Sequence, residues 1–139
     1  MMTNEQLLQY LPVPLEETLI GTLGMEFIEI TKERVVCTMP VDGRTRQPFG
    51  LLHGGASVAL AETAASIGSF LHIDPNTQFA AGLEINANHV RGKKDGIVTA
   101  TAIPLHIGRT TIIWDIQLTD ETGKLLCVSR CTIAIGNQR

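Results

Sequence analysis

One carboxylate in the chain stands apart from its surroundings. Glu62 is the only Asp, Glu, Lys or Arg between Gly50 and Ile73, and it sits inside the alanine-rich run GGASVALAETAASIGSFL. An isolated carboxylate in apolar surroundings is costly to keep, and such groups recur where a reaction needs an acid, a base or a nucleophile. A carboxylate at an exposed seam, or one paired with an arginine, fits the periodicity equally well. The approach to the run, Gln47-Pro48-Phe49-Gly50-Leu51-Leu52-His53-Gly54-Gly55, tips the balance toward chemistry. It places unblocked backbone N–H groups at the start of a helix, where the dipole favours charge developing on a carbonyl oxygen, and its glycines let a ligand come close. The plainer reading is that Gly54-Gly55 only permits tight packing and that His53 is a cap or a satisfied core histidine.

Eight residues of helix separate Gly54 from Glu62, which is about 12 Å of rise. A reacting carbon has to lie about 3 Å from both its attacking group and its oxyanion donors, so one helix cannot supply both to one atom. If both act in one reaction, the helix start comes from one protomer and the glutamate from another, across a symmetric dimer interface. Ser66 lies one turn after Glu62 on the same face, within reach of the carboxylate or an attacking water, although a helical serine is usually structural.

Other chemistries find little support. There is no G-x-S-x-G, and Cys37, Cys127 and Cys131 show no helix start or local cationic context that would activate a thiol. Cys127 and Cys131 lie four apart in an apparent strand, roughly 13 Å from one another, so the cysteines read as reduced thiols. His53, His72, His89 and His106 show none of the short spacings of structural zinc, and no metal is expected. Positive charge gathers in two turns, His89-Val90-Arg91-Gly92-Lys93-Lys94 and His106-Ile107-Gly108-Arg109-Thr110. Arginine forks and amides beside glycine suit phosphate oxygens, while ordinary solvated turns are the alternative.

The elements that must position these groups are those of one domain. The 139 residues suffice for a single core, with residues 1–20 as a peripheral amino-terminal segment. A 44% apolar and 18% charged composition excludes disorder, and 4% aromatic residues with a net charge of -3 argue against nucleic acid or an anionic membrane as partner. The leading MMTNEQLLQY has no secretory pattern, so the cytoplasm is the expected location. Gly54 to Leu71 reads as the one long helix, small or apolar nearly all the way round and therefore buried. Asn4 to Tyr10 reads as a short helix, and Met25–Ile30 with Arg34–Met39 as a hairpin. Phe79–Asn88, Ile97–Ile103, Thr110–Thr119 and Leu125–Ile135 alternate as strands. The turns Lys94-Asp95-Gly96 and Asp120-Glu121-Thr122-Gly123 lie between them and predict antiparallel neighbours. The fold class is α+β, an antiparallel sheet wrapped round one buried helix.

The stretches MPVDGRTRQPFGLLHGGASVALAET, GLEINANHVRG and PLHIGRTT, in this order, resemble the hotdog-fold acyl-CoA thioesterases. The likeness is to the 4-hydroxybenzoyl-CoA branch with a catalytic glutamate, and most nearly to the 1,4-dihydroxy-2-naphthoyl-CoA thioesterases of menaquinone synthesis. It spans roughly residues 25–135. It implies a hotdog fold, homodimers with a continuous sheet and active sites at the interface, and commonly a homotetramer. It implies that Glu62 attacks the thioester carbon or activates water, that the Gly54 N–H polarises the carbonyl, that Gln47 and His53 orient the thioester, and that Ser66 is a helper hydroxyl. It further implies that CoA is bound by Gly82, by His89, Val90, Arg91 and Gly92, and by His106, Ile107, Gly108, Arg109, Thr110 and Thr111. CoA is then part of the substrate, and no cofactor is needed. Two other functions stay open: a non-catalytic acyl-CoA sensor, for which the Glu62, His53 and Gln47 set is surplus, and a hotdog enoyl-CoA hydratase, whose aspartate and histidine pair is not found.

Overall fold

Alternation of buried and less buried residues along the central strands makes one sheet with one buried face. The computed structural model describes residues 3–139. Its strands are β1 (Glu26–Ile30), β2 (Val35–Pro40), β3 (Gln78–His89), β4 (Ile97–Ile107), β5 (Thr111–Thr119) and β6 (Leu125–Asn137). They form a single antiparallel sheet in the order β1-β2-β4-β5-β6-β3. On β5, Ile112, Trp114, Ile116 and Leu118 are buried and stand opposite Ile133, Cys131, Ser129 and Cys127 of β6, so one face of the pleat is core. The hotdog architecture follows from laying the long helix α3 (Gly54–Phe70) against that face.

The helix meets the sheet through small side chains. Ser57, Leu60, Ala61, Ala64, Ala65, Gly68 and Ser69 are its buried residues. A Cβ at Gly68 would overlap the Trp114 ring, so glycine is what lets the helix come down onto the indole. The indole N–H donates to Ser69 Oγ at 2.7 Å, which satisfies the polar atoms of this buried pair. The expectation of a helix buried nearly all round is corrected here. The sheet covers only one side, and Ala59, Glu62, Thr63 and Ser66 on the other side are half-buried. A single sheet layer cannot enclose a cylinder, and alanine carries too weak a periodicity to reveal which side is bare.

A second expectation also changes. β3 and β4 are consecutive in sequence but not neighbours, since β3 pairs only with β6 and forms one edge. The segment after β3 is held at the end of the sheet by Val90 and Arg91 N–H groups donating to the Leu126 carbonyl. The Leu52 N–H donates to the Lys93 carbonyl, and the Val41 N–H to that of Gly96, whose φ of 77° turns the chain into β4. β4 also runs past its expected end at Ile103, carrying His106 and Ile107 as strand residues. Pro104 is accommodated because the register shifts between Pro104 and His106, leaving the proline at a bulge. The amino-terminal stretch contains α1 (Asn4–Leu8), a 3-10 turn at Leu15–Glu17 and α2 (Leu19–Thr22), and it sends Leu7 fully into the core. Among the described residues no helix is long and apolar enough to cross a membrane.

The contact between Gly68 and Trp114 makes a direct prediction. Gly68→Val should lower stability in urea unfolding by about 2–3 kcal/mol, the cost of overpacking a closed core.

Candidate active site

The loop before α3 is built to hold its residues still. Thr45 is buried, and its hydroxyl donates to the Pro40 carbonyl at 2.8 Å and accepts from the Asp42 N–H at 3.1 Å. Hydrogen bonding from the Arg44 guanidinium holds the Asp42 carboxyl down at about 2. The Gln47 N–H donates to the Leu51 carbonyl, and the Gly50 N–H returns to the Gln47 carbonyl, a closure that needs the positive φ of 87° at Gly50. Gln47 Oε1 accepts from the Phe49 N–H, which fixes the carboxamide and leaves the Phe49 ring 90% exposed at the loop tip.

His53 is the N-cap of α3. Its Nδ1 accepts from the Gly55 N–H at 2.7 Å, and its carbonyl accepts from Ala56 and Ser57. The first helical donor, the Gly54 N–H, has no acceptor among the described residues. A free N–H thus stands at the positive end of a 17-residue helix. It opens into a cavity of about 380 Å³ whose walls include Gln47, Gly54, His89, Val90, Arg91 and Gly92. A Cβ at Gly54 would lie 2.9 Å from His89 Nε2, so the bare residue lets the imidazole pack against the helix start. Leu51, Leu52 and Leu126 give this cavity an apolar side. Ser57 also lines it and was not anticipated, although its place three residues after Gly54 puts it on the same helical face.

Glu62 stands elsewhere. Its carboxylate rests against the edge strand, where a Cβ at Gly82 would come 2.8 Å from Oε1, so the bare glycine lets the carboxylate lie close to the strand. It shares a small pocket of about 130 Å³ with Gly82, Leu83, Glu84 and Ile85. No hydrogen bond or ion pair engages the Glu62 carboxylate among the described residues. Ser66, also half-buried, follows one turn later. Cys131 lies beneath, and burial pushes its thiol up to about 12, with the nearby Glu62 and Glu84 adding to the rise. Burial does the same to Cys37, and both are free thiols unsuited to act as nucleophiles near neutral pH.

A third group is separate again. Arg109 and Thr110 line a cavity of about 370 Å³ with Gln78, Ile135, Gly136 and Asn137. The Gly108 N–H donates to the Thr111 carbonyl at 2.8 Å, closing the turn between β4 and β5. His106 folds over that turn, its Nε2 2.7 Å from where a Gly108 Cβ would be, and Ile107 ends β4. Of the expected phosphate-binding charges, Arg91 and Arg109 are exposed without an ion pair among the described residues, whereas Lys93 is taken by Glu121. No three His, Cys, Asp or Glu side chains among the described residues are placed to hold a metal ion.

A family model for the thioesterase superfamily matches residues 49–127, the segment that holds the Gly54 helix start, Glu62, the edge strand and both basic turns. The chain belongs to the thioesterase superfamily. It is a thioester hydrolase, and its relatives agree. It is 59% identical over 121 residues to the esterase-class protein ComA2 of Bacillus subtilis (strain 168), covering 87% of this chain and 96% of that one. It is 52% identical over 118 residues to a 1,4-dihydroxy-2-naphthoyl-CoA hydrolase of Listeria monocytogenes, covering 85% and 95%. A solved mutant of the thioesterase PA1618 from Pseudomonas aeruginosa superposes with a TM-score of 0.91 at 44% identity, covering 99% of this chain and 96% of that one.

The capping geometry of His53 is testable apart from turnover. His53→Ala should lose about 1 kcal/mol in thermal or urea unfolding, and His53→Asn, which keeps an acceptor at the cap, should recover most of it.

Proposed function

We propose that the chain hydrolyses an aromatic acyl-CoA thioester, such as 1,4-dihydroxy-2-naphthoyl-CoA or a hydroxybenzoyl-CoA, to the free acid and CoA. The observation that carries this reading is the pairing of an unfilled donor at Gly54 with an unpartnered carboxylate at Glu62 on one rigid helix. The 52% identity to a 1,4-dihydroxy-2-naphthoyl-CoA hydrolase supports the choice of acyl group.

In the proposed reaction the thioester oxygen accepts the Gly54 N–H, so that negative charge forming on it is met by the helix dipole. The Gln47 carboxamide, held by its loop, and His53 orient the same group. Nδ1 of His53 is occupied by Gly55, which leaves Nε2 as its free ring nitrogen. Glu62 either attacks the carbonyl carbon itself or takes a proton from water as the water attacks, with Ser66 positioning that water. The C–S bond breaks: in the first case CoA leaves as the thiolate and takes its proton from solvent, and in the second the proton that Glu62 took from water passes to the sulfur. A mixed anhydride on Glu62 is then hydrolysed in the first case, and the carboxylic acid forms directly in the second. Neither route needs a metal or a redox cofactor.

Since about 12 Å of helix lies between Gly54 and Glu62, each complete site takes its donor from one copy and its acid from another. The exposed β3 edge, 12 residues long with Gly82 upon it, suits antiparallel pairing with a second β3 in a homodimer. Two such dimers make the homotetramer. His89, Val90, Arg91 and Gly92 line the way to the helix start, and Gly82 flanks the acid. Arg109, with His106, Ile107, Gly108, Thr110 and Thr111, offers its guanidinium and turn amides to CoA phosphates.

Glu62→Gln should lower kcat at least about a hundredfold with the fold unchanged, read as CoA thiol release from 2-naphthoyl-CoA. Gln47→Ala should be strongly impaired as well. Co-refolding the two variants in equal amounts should restore about a quarter of the wild-type rate, because half of the dimers then carry one intact site. No recovery on mixing would place both groups in one copy.

A further inference from the structure

One hydroxyl in the cavity at the start of α3 takes no part in the reaction between Gly54 and Glu62. Ser57 lies three residues, about 4.5 Å of rise, beyond Gly54 on the same helical face. It is only 3% exposed, and it lines the cavity of about 380 Å³ into which Gly54 opens. A hydroxyl inside a helix can satisfy itself on the carbonyl four residues back, as Thr63 does on Ala59 at 2.7 Å. Among the described residues the Ser57 hydroxyl makes no such bond, to His53 or to any other group. No side-chain oxygen or nitrogen there is both sealed from the surface and unpartnered, so this hydroxyl is open toward the cavity. Its partner has to come in from outside.

The cavity has a mouth and a floor. His89, Arg91 and Gly92 are exposed and Val90 is 59% exposed, which puts the segment after β3 at the mouth. Ser57 and Leu126, each 3% exposed, form the floor. A thioester whose oxygen accepts the Gly54 N–H stands between the two, with one substituent on either side of its carbonyl carbon. The CoA arm ends in phosphates that stay in water, so it leaves by the mouth, past Arg91. The acyl group then turns to the floor, where Leu52 and Leu126 cover a flat ring and Ser57 supplies the one hydroxyl that lines the cavity. An apolar pocket with a single placed polar group selects by hydrogen bonding, because a ligand without the matching group leaves that group unpaired. A hydroxyl on the acyl ring matches Ser57, since each can both donate and accept.

We propose that Ser57 reads a hydroxyl on the acyl ring, and so selects hydroxylated aryl thioesters over their unsubstituted counterparts. This rests on the thioesterase reading and adds to it a specificity-determining residue at the Gly54 end of the helix. The role is distinct from that of Ser66, which follows the acid one turn later.

The experiment measures kcat/KM by CoA release for two pairs of thioesters in the wild-type chain, Ser57→Ala and Ser57→Cys. The pairs are 1-hydroxy-2-naphthoyl-CoA with 2-naphthoyl-CoA, and 4-hydroxybenzoyl-CoA with benzoyl-CoA. Within a pair the ring hydroxyl changes the intrinsic reactivity of the ester equally for every variant, so the ratio isolates what the protein adds. The wild-type preference for the hydroxylated member should fall roughly tenfold in Ser57→Ala for at least one pair, the scale of one buried hydrogen bond. Ser57→Cys, whose thiol is a poorer partner at the same place, should show the same fall. If one variant loses its wild-type circular dichroism, the other decides. A serine that only packs would change both members together, and a ratio unchanged in both pairs overturns the assignment while the thioesterase reading stands. A wild-type chain that releases no CoA from any of the four overturns that reading, and the assignment of Ser57 falls with it.

Discussion

The stiffness of α3 sets the distance between the unfilled N–H at Gly54 and the carboxylate of Glu62, and no loop can shorten it. The rest of the site is arranged around that distance. His53 takes up the second donor of the helix and leaves the first one bare. The Thr45 and Gln47 hydrogen bonds keep the loop from folding over the opening. At the other end of the span, Gly82 leaves the half-buried carboxylate room to lie against the edge strand. Each end is prepared for a reaction, yet each holds only half of what thioester hydrolysis needs. An edge strand whose outer side is unpaired among the described residues, lying beside the acid, is therefore a consistent companion to a split site.

The alanine content of the helix has the same origin. A row of bulky residues would hold α3 away from the sheet, whereas Ala61, Ala64, Ala65 and Gly68 bring its axis close enough for Trp114 to lie against its backbone. Close seating fixes both the rotation and the height of the helix. The rotation decides that Glu62 faces β3 and that Phe70 faces Tyr10. Packing in the core and geometry at the site are thus one property, since any residue that rotates α3 displaces the carboxylate as well.

Much of this was legible in the sequence where the signal is local. The lone carboxylate in an alanine-rich run, the glycines at its start and the alternation of β5 and β6 each report the immediate surroundings of a residue, and each describes the structure well. Long-range relations were harder. The Lys94-Asp95-Gly96 turn marks a reversal of the chain but not which strand is met afterwards, so it predicts β3 and β4 as neighbours where the fold separates them. Pro104 reads as the end of a strand because a bulge, which alone makes a proline tolerable there, leaves no local mark. The short helical turns over Leu15–Glu17 and Leu19–Thr22 are too brief for periodicity to declare. At the site, the grouping of Gln47 and Gly54 with His89–Gly92 joins segments more than 30 residues apart. Only the chain path around the sheet end brings them together.

Trp114 gives the molecule an internal gauge. It is the only tryptophan in the chain, and it is fully enclosed between Gly68 and the sheet. Its indole N–H is bonded to Ser69, and the imidazole of His72 lies 6.3 Å from its ring. The emission of that one fluorophore therefore reports a single relation, the seating of the helix on the sheet, without contribution from any other indole. Loosening of α3 would admit water to the ring and shift its spectrum to the red. Substrate binding, heating or a remote substitution can then be followed by its effect on the element that carries both halves of the chemistry.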